Sequence, residues 1–287
     1  MPLGSERAIV NSMEPTQPKR EDPDWVKMVA QAHIHYRVPG MDQVPKRANV
    51  TFESSDGEPR QFDFYGPISE KAVHSTPCVI LIHGGPVPPN LLTTPKDWGL
   101  FQSFGRLLGA SGLSAIMFNH RFFGLDRMGE AMTDVQDLLG YVSAHGEALN
   151  INPDRLCLWA FSGGGVFLSP FLREAPNAIR CVVAYYAALH ARTPEFSAAI
   201  QISENTGRIP ALLIARAGLD LALLNEGIDN FVQHALKKNA CIDVLNHATG
   251  QHGFDGRDNN ERTKDILRRT LEFIHAHLPE TRSHLTT

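Results

Sequence analysis

The sequence predicts an α/β fold with a mostly parallel central sheet, an antiparallel N-terminal hairpin and helices on both faces. Three observations predict it. From residue 78 to residue 277, short and nearly unbroken apolar runs alternate with stretches of helical spacing, the pattern of parallel strands buried on both sides. Two segments of alternating polarity, 48–53 and 61–65, come first, joined through the turn-forming Ser54-Ser55-Asp56-Gly57. No Pro/Gly/Ser tract, charge block or low-complexity run interrupts residues 45–278. One domain over 25–287, without a large cap, is therefore expected behind a polar, proline-punctuated and flexible arm at 1–24.

The elements follow in order. Residues 24–35 carry helical spacing in Trp25, Met28, Val29 and Ala32. After the hairpin, strands are expected at 78–82, 113–118, 156–159, 181–185, 211–215 and 242–245. Helices are expected at 98–108 and 128–144, after the glycines at 163–165 through Arg173, and at 194–204, 225–238 and 260–277.

Composition excludes several function classes. With 43% hydrophobic and 20% charged residues the chain reads as globular, and a formal net charge of −4 argues against a nucleic-acid surface. The opening 24 residues hold no apolar segment, so neither signal peptide nor membrane anchor is expected, and the longest apolar runs are strand-sized. Cys78, Cys157, Cys181 and Cys241 share no metal spacing and lie in or beside strands, which reads as buried free thiols in a reducing cytoplasm. His33 and His35 lack acidic or histidine partners at ligand spacing, and no metal or cofactor is expected.

The chemistry concentrates at four strand ends. Ala160-Phe161-Ser162-Gly163-Gly164 sits between a strand and a helix, where a nucleophile elbow needs small residues two positions either side of the serine. Ala160 stands where the usual pattern has glycine, adding only a methyl. His83-Gly84-Gly85-Pro86 follows the third expected strand. There Gly84 and Gly85, with Gly163, are candidates to turn backbone N–H groups toward an oxyanion. An activated serine needs a base, and the base an orienting carboxylate. Asp220 and His252 follow the next-to-last and last strands, in the order serine, acid, histidine. His247 is the rival base, closer to its strand and without a following glycine; Asp255 is the nearest alternative acid.

The run HGG, SGG, AGLD and HGFD, ending at residues 85, 164, 220 and 255, resembles the dienelactone hydrolase and acetyl-esterase-like branches of the α/β-hydrolase superfamily. The likeness extends from Ala48 to the last helix and includes residues 152–156 ahead of the elbow. It implies a Ser-His-Asp triad acting on a small-molecule ester through an acyl-enzyme. Dienelactone hydrolases carry a cysteine nucleophile where this chain has Ser162, and no arginine pair for a carboxylated lactone stands out. On the same scaffold the triad also fits an acylpeptide hydrolase or an acyltransferase. A non-catalytic binding protein of this fold would have no chemical need for all three groups.

Other residues carry two readings each. Phe122, Phe123 and Tyr186, with Tyr185, would wall an acyl pocket or pack the core. His120-Arg121 would line the site or fix the sheet edge, and the structural role is favoured. Arg216 is expected to pair with a carboxylate, and His275 and His277 to face solvent. The N-terminal arm leaves a homodimer open, with neither nucleic acid nor membrane expected as partner. The 25 residues 186–210 have room for one helix, which predicts an open site and a preference for short acyl groups.

Overall fold

The computed structural model describes residues 30–68 and 75–279. The expected arm, and most of the helix expected at 24–35, lie outside them; Ala30 and Gln31 are helical and the chain is irregular from Ala32 to Pro39. Eight strands form one sheet: β1 (Lys46–Glu53), β2 (Pro59–Tyr65), β3 (Thr76–Ile82), β4 (Ser114–Phe118), β5 (Ile151–Phe161), β6 (Ile179–Tyr185), β7 (Ala211–Ala217) and β8 (Ile242–His247). Their order is β1-β2-β4-β3-β5-β6-β7-β8. β1 and β2 form the antiparallel hairpin, β2 joins β4 antiparallel, and β3 to β8 run parallel.

Alternate residues of the buried strands feed two cores. Ile80, Leu158 and Ile214 face one side, against helices α2 (Met128–His145), α3 (Ser169–Arg173), α4 (Ala198–Ser203) and α5 (Ala222–Lys237). Val79, Trp159 and Leu213 face the other, against α1 (Gly99–Ala110) and α7 (Glu261–His277). Because both faces are covered, the strands read as continuous apolar runs rather than alternating ones. The short helix α6 (Phe254–Arg257) was not expected; its four residues are too few for a helical period. Among the described residues no helix is long and apolar enough to cross a membrane.

The cysteines divide. Cys78, Cys157 and Cys181 are buried, the last two paired in register across β5 and β6. Burial holds the thiols of Cys78 and Cys157 far above their usual range. Cys241 is exposed, against the sequence expectation. It precedes β8, the edge strand, whose outer residues Asp243 and Val244 are exposed as well. A thiol reagent should therefore label the native protein at Cys241 and spare the other three until denaturant is added. Rapid native labelling of a second cysteine, read by peptide mass mapping, would contradict this burial.

Candidate active site

β5 ends at Phe161 and the chain turns at Ser162, whose φ of 51° lies in the left-handed region. A non-glycine residue there costs about 1–3 kcal/mol and persists only where its surroundings hold it. Here they do. Ala160 is fully buried between Ile82 of β3 and Ala184 of β6, and the Ser162 carbonyl accepts the Ala188 N–H at 2.8 Å. That bond takes the carbonyl an α-helix would use four residues on. Ser162–Leu168 accordingly winds as a 3-10 helix and α3 begins only at Ser169, where a helix was expected directly after the glycines.

The loop after β3 lies directly on this turn. A Cβ on Gly84 would stand 2.8 Å from that of Ser162, one on Gly163 would stand 2.2 Å from the Gly85 carbonyl oxygen, and one on Gly164 2.4 Å from that of His83. Gly84 thus lies against Ser162, and Gly85 against Gly163, the residue that follows it.

Two further loops supply the partners. They are tied to each other by Gly218 N–H to the His247 carbonyl and Leu219 N–H to the Gly250 carbonyl, both at 2.9 Å. The Asp220 side chain is buried; Oδ1 accepts the Leu221 N–H at 2.7 Å, and Oδ2 lies 2.7 Å from His252 Nδ1. A carboxylate only accepts, so Nδ1 carries the imidazole proton and Nε2 is left with a lone pair. Ser162 Oγ sits 2.8 Å from that Nε2 and donates to it. The three residues form one hydrogen-bonded chain at the carboxyl ends of β5, β7 and β8, where parallel sheets assemble their sites.

His247 makes no hydrogen bond to Ser162 or Asp220. It is the last residue of β8, buried, with Nε2 3.1 Å from Thr263 Oγ1. Asp255 does not reach His252 Nδ1 either: its Oδ1 accepts the Tyr186 hydroxyl at 2.6 Å. Fully buried, Asp255 is pushed up to about 6 by loss of solvation. Tyr186 in turn packs its ring 4.8 Å from that of His252. Sequence reasoning missed this support, whose only signal was the aspartate closing the HGFD run.

The proposed wall residues separate. Phe122 is buried beside Gly85, against Phe167, and Tyr186 backs His252. Phe123 instead lines a cavity of about 420 Å³ on the far side of the loop, with His83, Lys96, His120 and Arg121. Arg121 grips Asp134 of α2 through Nε and Nη2, at 3.0 and 2.7 Å, which ties the loop after β4 to the helix. Arg216 pairs with Asp229 at 2.9 Å. His275 is exposed and His277 is half-buried against Phe273. Among the described residues no three His, Cys, Asp or Glu side chains are grouped to hold a metal.

Known proteins share this framework. A family model described as BD-FAE matches residues 62–173, from β2 through the helix behind Ser162. No curated protein matches the chain significantly. Among solved structures, a brefeldin A esterase described as a bacterial homologue of human hormone-sensitive lipase is 17% identical. The match covers 89% of this chain and 82% of that one, with a TM-score of 0.70. The esterase Est22 is 18% identical over 84% of this chain and 81% of its own, at 0.68. The thermophilic esterase Est2 of the Planctomycetes species Thermogutta terrifontis is 15% identical over 86% and 98%, at 0.65. The chain has the α/β-hydrolase fold. The solved structures named here are described as esterases.

Two buried groups near the site make stability depend on pH in opposite directions. Burial lowers His83 from 6.5 to about 4. As pH falls from 6.5 to 4, the unfolded chain gains a proton there that the native chain refuses, and stability falls. Asp255 moves from 3.8 up to about 6. As pH falls from 6 to 4, the native carboxyl takes the proton first and stability rises. Asp255→Asn removes the second effect, worth on the order of 2 kcal/mol over the window. Its melting temperature should drop more steeply than that of the wild type between pH 6.5 and 4. Parallel slopes would mean that Asp255 ionises as an ordinary carboxylate.

Proposed function

We propose that this chain is a carboxylic-ester hydrolase with Ser162 as nucleophile, His252 as general base and Asp220 as orienting acid. The observation that carries the reading is the hydrogen-bonded sequence Asp220 Oδ2, His252 Nδ1, His252 Nε2, Ser162 Oγ, at 2.7 and 2.8 Å. Ser162 Oγ attacks the acyl carbonyl while His252 Nε2 takes its proton. Asp220 keeps the imidazole in the required tautomer and stabilises the imidazolium that forms. The tetrahedral oxyanion is received by backbone N–H groups of Gly84, Gly85 and Gly163, and collapse releases the alcohol, protonated by His252. Water then repeats the sequence on the acyl-enzyme. No metal or cofactor enters these steps.

Substrate size follows from what stands over the serine. Residues 186–210 fold as the 3-10 turn Pro194–Phe196 and the six-residue α4, which packs against α3 and α5 in one core of the sheet. Nothing in that crossover is left to form a lid. The reading is a single domain with an open site that takes short acyl esters, roughly two to six carbons, in preference to long chains.

A panel of p-nitrophenyl esters from acetyl to decanoyl tests both parts. The wild type should turn over acetyl to hexanoyl esters fastest, with no rate jump above the solubility limit of the substrate. Ser162→Ala should lose several orders of magnitude in kcat while melting like the wild type. His252→Ala should be as inactive, whereas His247→Ala should keep its chemistry and lose stability. Near-wild-type hydrolysis by folded Ser162→Ala would end the mechanism, and faster decanoyl turnover would end the size assignment.

Asp220→Asn should fold and lose about 10³–10⁴-fold in rate, because an amide donating to Nδ1 favours the wrong tautomer. An unchanged rate would remove Asp220 from the triad.

A further inference from the structure

Behind the oxyanion loop, the imidazoles of His83 and His120 stack with centroids 3.6 Å apart and planes 9° from parallel. The residues are 1% and 2% exposed. Burial drives both below the usual histidine value, His120 further because His83 lies against it, so both rings are neutral at pH 7.

With both rings neutral, their hydrogen bonds assign the protons. His83 Nδ1 is 2.6 Å from the Gly84 carbonyl oxygen; oxygen can only accept, so Nδ1 is the protonated nitrogen. His83 Nε2 then accepts the His120 backbone N–H at 3.3 Å. His120 Nε2 is 3.0 Å from the His83 carbonyl oxygen and by the same reasoning donates to it.

These bonds fix two successive peptide planes. In a trans peptide the C=O and the following N–H point in opposite directions. Holding the His83 carbonyl toward His120 turns the Gly84 N–H away from it. Holding the Gly84 carbonyl toward the His83 ring does the same for the Gly85 N–H. Ser162 lies against this stretch of the loop: its Oγ would be 3.3 Å from a Cβ on Gly84.

We propose that His120 is a positioning residue for the oxyanion hole: its Nε2–H, donated to the His83 carbonyl, holds the loop's peptides with their N–H groups toward Ser162. The proposal rests on Ser162 being the nucleophile and on the loop amides receiving the oxyanion. Glycines are needed at 84 and 85 for closeness, and a glycine-rich backbone is free to rotate its peptides. The stacked pair removes that freedom. Phe118, Phe122 and Phe167 surround the His120 ring, so a phenylalanine at 120 would keep the packing and delete only the donor.

His120→Phe is therefore the test, assayed with p-nitrophenyl butyrate and with an aliphatic trifluoromethyl ketone that mimics the tetrahedral state. Removing an oxyanion donor outright costs about 10²–10³-fold in kcat, and misaiming one should cost roughly tenfold. The expected result is that fall in kcat with KM within about twofold, a parallel loss of ketone affinity, and partial recovery in His120→Gln, whose amide can donate. Wild-type kcat in folded His120→Phe, or a lower kcat that ketone affinity does not follow, would overturn the proposal.

Should the variant fail to fold, ¹⁵N NMR of the wild-type imidazoles decides instead. It should find the Nε2–H tautomer at His120 and the Nδ1–H tautomer at His83 from pH 5.5 to 8. The opposite tautomer at His120 would overturn the proposal. Full activity of Ser162→Ala would instead strike at the nucleophile and leave the tautomers as they are, so the two failures are distinguishable.

Discussion

Backbone meets backbone where the loop after β3 crosses the turn at Ser162, and the rest of the site depends on that approach. A methyl on Gly163 or Gly164 would overlap the carbonyl oxygens of Gly85 and His83, at 2.2 and 2.4 Å. Distances that short exclude any side chain, since even flexible neighbours cannot yield when the obstacle is main chain. The left-handed conformation of Ser162 is held from the other neighbour, the chain after β6, where Ala188 donates to its carbonyl. The turn is thus packed between the segments that follow β3 and β6.

The sheet makes that packing unavoidable. β3 and β5 are neighbours in register from Cys78 to Ile82, so the loops leaving their carboxyl ends must meet. β7 and β8 are neighbours too, and the two backbone bonds from Gly218 and Leu219 to the His252 loop set the separation of Asp220 from His252 before any side chain acts. Apolar burial on both faces keeps these strands in place. A one-residue slip in β5 would turn Trp159 and Leu158 into each other's cores and carry Ser162 off the loop.

The sequence was legible where a feature is local. Apolar runs located the six parallel strands, because strands covered on both faces write their burial directly into composition, and alternating polarity located the two of the hairpin. The spacing of small residues around Ser162, and the positions of Asp220 and His252 after successive strands, follow from the same topology. What was not legible depends on partners far along the chain. The Tyr186–Asp255 bond joins residues 69 apart, and the His83–His120 stack joins β3 and β4 through residues whose individual motifs give no hint of contact. The exposure of Cys241 follows from β8 being an edge strand, which apolar content alone does not reveal. The 3-10 winding after Ser162 reflects a carbonyl captured by Ala188, again a tertiary bond overriding local propensity.

Four histidines near the site show how one side chain is given different work by its surroundings. His252 stands partly open, between a carboxylate on Nδ1 and a hydroxyl on Nε2, the environment in which a ring can take up a proton and return it. His247, five positions earlier, is sealed against Thr263 and Phe254 and can only brace the strand end. His83 and His120 are buried, facing backbone carbonyls and each other, so they stay neutral and serve as fixed donors. The working base needs a charged partner and access; the rings that aim the backbone need neither. On the proposed mechanism, placing both kinds within the same few loops would let one imidazole change its charge while the peptides offered to the oxyanion stay in place.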